Sequence, residues 1–152
     1  MKTRTKIYLD VCCLNRPFDD QTQDRIHMES EAVETILGHV DAGQWQWVGS
    51  SVVDFEIGRS SDLDRRARVG RLAQGATETV VPSAKEQKRA KDLCALGFSA
   101  VDGLHLACAE AAGVDVLLTT DDKMLRISAR NAKQLQVRVE NPLVWLEEIT
   151  RT

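Results

Sequence analysis

The sequence lacks several features that would assign it at once to a functional class. No apolar run approaches the roughly 20 residues that cross a bilayer, and Asp10 interrupts the few apolar residues after the basic N-terminus. No two of the four cysteines have Cys-x-x-Cys spacing. These absences argue against a membrane span, a signal peptide and a cysteine-based zinc site. We therefore expect a cytoplasmic protein whose thiols are free.

Signatures of phosphate transfer are missing as well. The chain has no Gly-x4-Gly-Lys-[Ser/Thr] loop for a nucleotide. Asp10 is followed by Val11-Cys12, so the second acid of the Asp-x-Asp motif of haloacid-dehalogenase-like phosphatases is absent. Cys12 and Cys13 lie too close to Arg16 for the Cys-x5-Arg loop of cysteine phosphatases. A net charge of −3 does not indicate a nucleic-acid partner, although a local basic face remains compatible with one.

What the sequence does contain is typical of a globular domain. The chain has 152 residues, of which 43% are hydrophobic and 28% are charged, and these values are ordinary for a chain with one sizeable core. We find no internal repeat, low-complexity segment or long linker. We therefore expect a single domain over residues 1–152.

Short apolar segments alternate with helical patterns along the chain. Strands are predicted at residues 6–11, 45–48, 79–81, 116–119 and 137–139. Helices are predicted at residues 22–40, 52–57, 62–72, 83–97, 99–112 and 121–132, and a last one begins at residue 141. This alternation predicts an α/β fold with three layers, in which helices cover both faces of a central parallel sheet.

Four acidic residues lie where such a sheet would bring them together. Asp10 ends the first strand, Glu56 lies about two turns into the helix after the second strand, Asp102 begins a helix, and Asp121 ends the fourth strand. Ligand sites of parallel sheets lie beyond the carboxyl ends of the strands. Close carboxylates repel each other by about 1–4 kcal/mol per pair, so this acidic quartet needs protons, basic side chains or a hard cation. Carboxylate oxygens suit Mg²⁺ or Mn²⁺.

Three segments of the sequence, in this order, resemble the PIN-domain family. They are "YLD" at the end of the first strand, "SSVVDFEI" around Glu56, and "FSAVDGLHLACAEAAGVDVLLTTDDKML" around Asp102 and Asp121. The last segment is the most specific, because it joins an Asp in a small-residue helix to an apolar strand and a Thr-x-Asp. The resemblance extends from Ile7 to about Trp145.

The resemblance implies a fold, an activity and partners. The fold would be a five-stranded parallel sheet between helices. The activity would be that of a Mg²⁺- or Mn²⁺-dependent endoribonuclease of the VapC-like type, in which the acidic quartet of Asp10, Glu56, Asp102 and Asp121 holds the metal and is catalytic. A bound ion can activate water for attack on a phosphodiester. The partners would be an RNA substrate, an antitoxin protein that covers the acidic pocket, and a second copy in a homodimer.

The segment after Asp10 departs from the pattern of this family. Many members place Ser, Thr or Asn just after the first Asp, whereas this chain has Val11-Cys12-Cys13 and then "NRPFDD" at residues 15–20. The departure suggests a distinct subgroup, with a loop at residues 15–17 at the mouth of the site. It also leaves open an alternative function, a non-catalytic PIN-like module that binds RNA or protein.

Two members of the quartet have acidic neighbours that could take their place. Asp122 competes with Asp121, and the Thr-Thr-Asp order favours Asp121. Asp54 competes with Glu56, but the two lie on different faces of the predicted helix. We favour Glu56 and Asp121 and keep Asp122 as an accessory candidate.

Further accessory residues have both a functional and a structural interpretation. Asn15 and Arg16 could contact RNA phosphate, or they could order a turn against Asp19 or Asp20. Thr120 could hydrogen-bond the site or cap a helix. Glu31 could be an extra ligand or part of a solvated helix face.

His105 and Cys108 raise the separate question of a zinc site. They are three residues apart on one predicted helix, which is close enough to share an ion. The sequence pattern supplies no further ligands for zinc, so we do not predict a zinc site there.

Overall fold

Parallel strands alternate with helices along residues 4–151, the part of the chain that the computed structural model describes. The strands are β1 (Thr5–Leu9), β2 (Trp45–Ser50), β3 (Glu78–Val80), β4 (Val116–Leu118) and β5 (Arg138–Glu140). The helices are α1 (Val11–Asn15), α2 (Asp24–Asp41), α3 (Ser51–Gly58), α4 (Leu63–Ala73), α5 (Ala84–Cys94), α6 (Ala100–Ala111), α7 (Asp122–Arg130) and α8 (Pro142–Thr150). Short 3-10 turns follow α1 at Arg16–Phe18 and α7 at Ala132–Gln134.

The five strands form one parallel sheet in the order β3-β2-β1-β4-β5. From β1 the chain adds β2 and β3 on one side, and it then crosses to the other side of β1 to add β4 and β5. A reversal of this kind leaves a crevice beyond the carboxyl ends of the two strands between which it occurs, here β1 and β4. The predicted α/β architecture with a five-stranded parallel sheet is confirmed.

The two strands at this reversal are buried on both faces. Ile7, Tyr8 and Leu9 of β1 are at most 1% exposed, and so is each residue of β4. Fully burying an aliphatic side chain of this size contributes about 1.5–3 kcal/mol. Continuous apolar runs are typical of parallel strands that are covered by helices on both sides, which is why the sequence pattern located these strands well.

Side-chain caps begin the helices that follow the strands. Side-chain oxygens of Ser50, Ser99, Asp121 and Asn141 accept backbone N–H groups in the first turns of α3, α6, α7 and α8. Such caps are typically worth about 1 kcal/mol each. Ser83 and Glu86 form a capping box at the start of α5. Among residues 4–151, no helix has both the length and the apolar character needed to cross a membrane.

The segment after Asp10 differs from the prediction. The first strand ends at Leu9 and not at residue 11, since Val11 begins α1. Residues 15–17 are also not a loop, because they end α1 and enter the 3-10 turn Arg16–Phe18. The Asp10 side chain accepts the N–H of Val11 and so starts a helix at once. Local capping therefore overrides the strand preference of a β-branched valine.

Candidate metal centre

Asp10 lies in the crevice at the reversal of strand order, between β1 and β4. Its carboxylate is largely buried and is held from both sides. Oδ1 accepts the backbone N–H of Val11 at 2.8 Å. Oδ2 accepts the Thr119 hydroxyl at 2.9 Å and lies 3.5 Å from the Cys12 sulfur. These bonds orient the carboxylate at the point where the central strand ends.

Glu56 reaches the same crevice from α3. Ser50 caps this helix by accepting the N–H of Val53 at 3.2 Å, and Glu56 follows about one and a half turns later. The Glu56 side chain is 32% exposed and hydrogen-bonds Nε2 of His105. Asp54, the competing acid, is on the exposed side of α3. The structure therefore brings Glu56, and not Asp54, toward Asp10.

His105 completes a group of three possible metal ligands. Its Nε2 is 3.6 Å from Oδ1 of Asp10, and one ligand atom each from Asp10, Glu56 and His105 lie within 4.8 Å of one another. The ring is fully buried. The expectation that the sequence supplies no further ligand beside His105 is wrong, because Asp10 and Glu56 lie next to it, whereas Cys108 lies outside the group.

A buried hydrogen-bonded pair lies behind the imidazole of His105. Nδ1 is 2.6 Å from the Tyr8 hydroxyl, which is also 2.6 Å from Oγ of Ser50. Burial alone lowers the pKa of His105, but the hydrogen bond to Glu56 and the charge of Asp10 outweigh burial and leave this pKa raised. The ring is thus fixed on one side and faces carboxylates on the other.

Asp102 and Asp121 flank this group at two helix beginnings. Burial, together with the negative charges of Asp10 and Asp121, raises the pKa of Asp102 to about 6. Asp121 caps α7 through Oδ1, which accepts the N–H groups of Lys123 and Met124 at 2.9 and 3.2 Å. The charges of Asp10 and Asp121 thus act on Asp102 across the crevice.

The acids of the quartet have different partners from Glu29, an acid that is buried elsewhere in the fold. Among the ion pairs of residues 4–151, none joins the quartet to a lysine or an arginine. Glu29, in contrast, is only 2% exposed and pairs with both Arg16 and Arg25. A buried acid without a lysine or arginine partner is costly unless a proton, a histidine or a cation neutralises it, and within residues 4–151 His105 is the basic side chain that Asp10 and Glu56 meet. The donor set of carboxylates and one imidazole therefore fits a divalent cation.

Arg25 holds the chain just before α7. Its guanidinium binds both carboxylate oxygens of Asp122 at 2.8 Å and donates to the carbonyl of Thr120 at 3.1 Å. Asp122 thus faces an arginine and not the metal centre. The N–H of Thr120 donates to the Cys12 sulfur at 3.3 Å. All four cysteines are free thiols.

The other accessory candidates lie outside the group of three. Arg16 pairs with Glu29 and Asp19. The side chain of Asn15 donates to the Val11 carbonyl and accepts from Arg65. Glu31 is two-thirds exposed and pairs with His27. Arg16 and Asn15 thus order the segment after Asp10, as their structural interpretation expects. Glu31 lies on a solvated helix face.

Comparison with solved structures identifies proteins with a similar fold. No protein-family model matches the chain, and no curated protein matches it at a significant level. The structure of VapBC2 from Rickettsia felis, bound to a DNA fragment from its promoter, superposes with a TM-score of 0.57 and 14% identity, over 90% of this chain and 98% of the other. FitAcB from Neisseria gonorrhoeae gives 0.54 and 16%, over 90% and 97%.

The fold is PIN-like. Within this PIN-like fold, sequence reasoning missed two residues at the centre of the site, His105 and Thr119. His105 is three residues after Asp102, so the two share a face of α6, and that spacing was the available signal. Thr119 is predicted to end a strand, and nothing in its sequence context indicates that its hydroxyl bonds Asp10.

Proposed function

We propose that the chain is a Mg²⁺- or Mn²⁺-dependent endoribonuclease. The observation that carries the proposal is the group of Asp10, Glu56 and His105, in which Asp10 and His105 are buried. Asp102 flanks the group, and no arginine or lysine pairs with it within residues 4–151. Its position supports the same conclusion, because it lies at the reversal of strand order, where parallel sheets bind ligands.

The residues of the site have distinct tasks in this proposal. Asp10 and Glu56 hold the cation directly, and Asp102 and Asp121 supply further oxygens from two helix beginnings. When bound, a divalent ion supplies an activated water and neutralises charge on the phosphodiester. Thr119 and the Val11 N–H fix the orientation of Asp10, so that little reorganisation is needed on binding. The protein itself then needs no side-chain nucleophile.

We extend the proposal to the biological setting of a toxin that an antitoxin protein neutralises. The likeness to VapBC2 and FitAcB supports this setting at the level of the fold. The sequence resemblance to VapC-like toxins supports it as well. A homodimer and an RNA substrate belong to the same proposal.

The proposal is tested by RNA cleavage with purified protein. We expect cleavage of a mixed RNA pool in Mg²⁺ or Mn²⁺, none in EDTA, and a loss of at least about a hundredfold in Asp10→Asn and Asp102→Asn, since each removes a charge from the ion site. Asp54→Asn is the matched control, because Asp54 is an exposed acid on the same helix as Glu56, and it retains full activity.

Two outcomes would contradict the nuclease proposal. One is a folded wild-type protein that cleaves no RNA with either metal. The other is cleavage that persists in both quartet variants, which would indicate a contaminating nuclease. RNA or protein binding that survives these substitutions without cleavage would instead support the non-catalytic binding module.

A further inference from the structure

We propose that Nε2 of His105 is itself a ligand of the cation, and that the site therefore prefers Mn²⁺ to Mg²⁺. This inference rests on the metal site of the proposed function and adds to it a nitrogen donor and a choice of metal. The acidic quartet contains no histidine, and the comparison with solved structures concerns the fold alone.

The positions of the donor atoms support direct ligation. Atoms bound to one ion at about 2.0–2.2 Å each lie no more than about 4.4 Å apart. The separation of 3.6 Å between His105 Nε2 and Asp10 Oδ1 falls inside this limit, and Glu56 is closer still, in hydrogen-bond contact. An ion between the three side chains would replace the contact of His105 with Glu56.

The burial of the ring leaves Nε2 with few other partners. His105 is 0% exposed, and within residues 4–151 the polar contacts of Nε2 are with the carboxylates of Asp10 and Glu56. It therefore faces the same space that the proposed cation would occupy. A solvated surface histidine would gain much less from binding an ion, because water already satisfies its nitrogens.

The pair behind the ring completes the site. A metal-binding histidine usually donates its second N–H to an oxygen, which fixes the ring and its tautomer. The Tyr8 hydroxyl, 2.6 Å from Nδ1, is that oxygen, and Ser50 Oγ lies 2.6 Å beyond it. This buried relay of His105, Tyr8 and Ser50 has no access to solvent, since all three residues are at most 2% exposed.

The relay offers the ring an acceptor for its second proton. With an ion on Nε2, the ring proton would be on Nδ1 and would be donated to the Tyr8 hydroxyl, which would donate in turn to Ser50. The relay would then hold the tautomer that leaves Nε2 free for the ion.

An imidazole donor determines which cation fits best. Mg²⁺ strongly prefers oxygen ligands and keeps several waters, whereas imidazole suits transition metals. Mn²⁺ accepts both carboxylates and a nitrogen. We therefore expect Mn²⁺ to bind at least about tenfold more tightly than Mg²⁺, and we expect this ratio to fall toward one in His105→Gln.

The direct test is pulsed electron paramagnetic resonance of the Mn²⁺-loaded protein, which detects nitrogen coupled to the ion. We expect an imidazole coupling in the wild type that changes when histidine carries the heavier nitrogen isotope. The coupling should disappear in His105→Gln and persist in His27→Gln, a control at an exposed histidine. The isotope experiment on the wild type decides the question even if His105→Gln does not fold.

Tyr8→Phe tests the relay separately from the ligand. This variant keeps the ring behind His105 but removes the oxygen that would accept Nδ1–H. We expect the nitrogen coupling to remain and Mn²⁺ to bind about tenfold more weakly. Unchanged Mn²⁺ affinity in a folded Tyr8→Phe protein would overturn the role of the relay.

The outcomes separate this inference from the proposed function. Mn²⁺ bound with no nitrogen coupling, or a Mg²⁺ affinity equal to that of Mn²⁺, would overturn ligation by His105 and leave the acidic metal site intact. No binding of either ion to the wild type would overturn the metal site itself, and the nuclease proposal with it.

Discussion

At the scale of single residues, Asp102 shows how burial and neighbouring acids raise the pKa of a carboxyl group. Burial and the charges of Asp10 and Asp121 raise its pKa to about 6, whereas an aspartate in an unfolded chain has a pKa near 4. The folded state therefore holds the proton more tightly than the unfolded state. Stability from this group is complete below about pH 4 and is lost as the pH rises through 6.

Asp102→Asn should therefore stabilise the metal-free protein at neutral pH. We expect a gain of about 1–2 kcal/mol at pH 7.5, after allowance for the partial exposure of the side chain, and no gain at pH 4. Urea unfolding in EDTA at the two pH values measures both numbers. Asp54→Asn, which removes an exposed charge, serves as the control. A loss of stability in Asp102→Asn at pH 7.5 would show that the carboxylate is stabilised in the fold.

Glu29 contrasts with Asp102, because its buried carboxylate is paired with two arginines and an asparagine side chain. It accepts from Arg16, from Arg25 and from the Asn141 side chain at 2.9, 3.2 and 2.6 Å. Removing one member of a buried ion pair leaves its partners uncompensated and typically costs about 3–5 kcal/mol.

Glu29→Ala is therefore expected to destabilise the fold by about 3 kcal/mol. Glu31→Ala, two residues along the same helix but exposed and paired only with His27, should change stability by less than about 0.5 kcal/mol. Chemical denaturation of both variants makes the comparison. Equal effects would mean that the contacts of Glu29 contribute nothing beyond those of a surface glutamate.

At the scale of elements, α5 and α6 are packed so closely that α6 requires a glycine, Gly103, where it faces α5. A Cβ on Gly103 would lie 2.9 Å from the carbonyl oxygen of Ala90, a backbone atom that cannot easily move. The close approach fixes α6, which carries Asp102 and His105, against its neighbour. The position of the metal centre depends in part on this contact.

Gly103→Ala should cost about 1–3 kcal/mol, as overpacked sites typically do. Gly70→Ala is the matched control in the interior of α4, where nothing lies within 4 Å of the added Cβ. The control should be about 0.5–1 kcal/mol more stable than the wild type, because alanine favours helices over glycine. Thermal unfolding distinguishes the two, and a stable Gly103→Ala would show that α5 and α6 can separate without cost.

At the scale of the whole molecule, the parallel sheet and the helices between its strands were predictable from the sequence. The reason is that the central strands are continuous apolar runs. The helix caps were readable for a similar reason, since they depend on residues only two or three positions apart. Asp10 and Glu56 could be placed at one edge because parallel strands end together. These inferences needed only local patterns and the rule for sheet edges.

The remaining features depend on contacts between distant parts of the chain. Arg25 and Asp122 are 97 positions apart and still form a two-pronged ion pair. The sequence pattern places His105 on a helix, and only the folded structure shows that it meets Asp10 and Glu56. The short helix α1 was missed because one capping carboxylate outweighed the strand preference of Val11.

The central claim is that a divalent cation binds where β1 and β4 end, and anomalous diffraction from Mn²⁺-soaked crystals tests it most directly. We predict a manganese peak between Asp10, Glu56 and His105, and no peak there in Asp10→Asn crystals. Wild-type crystals soaked in saturating Mn²⁺ at neutral pH without a peak at this position would contradict the claim.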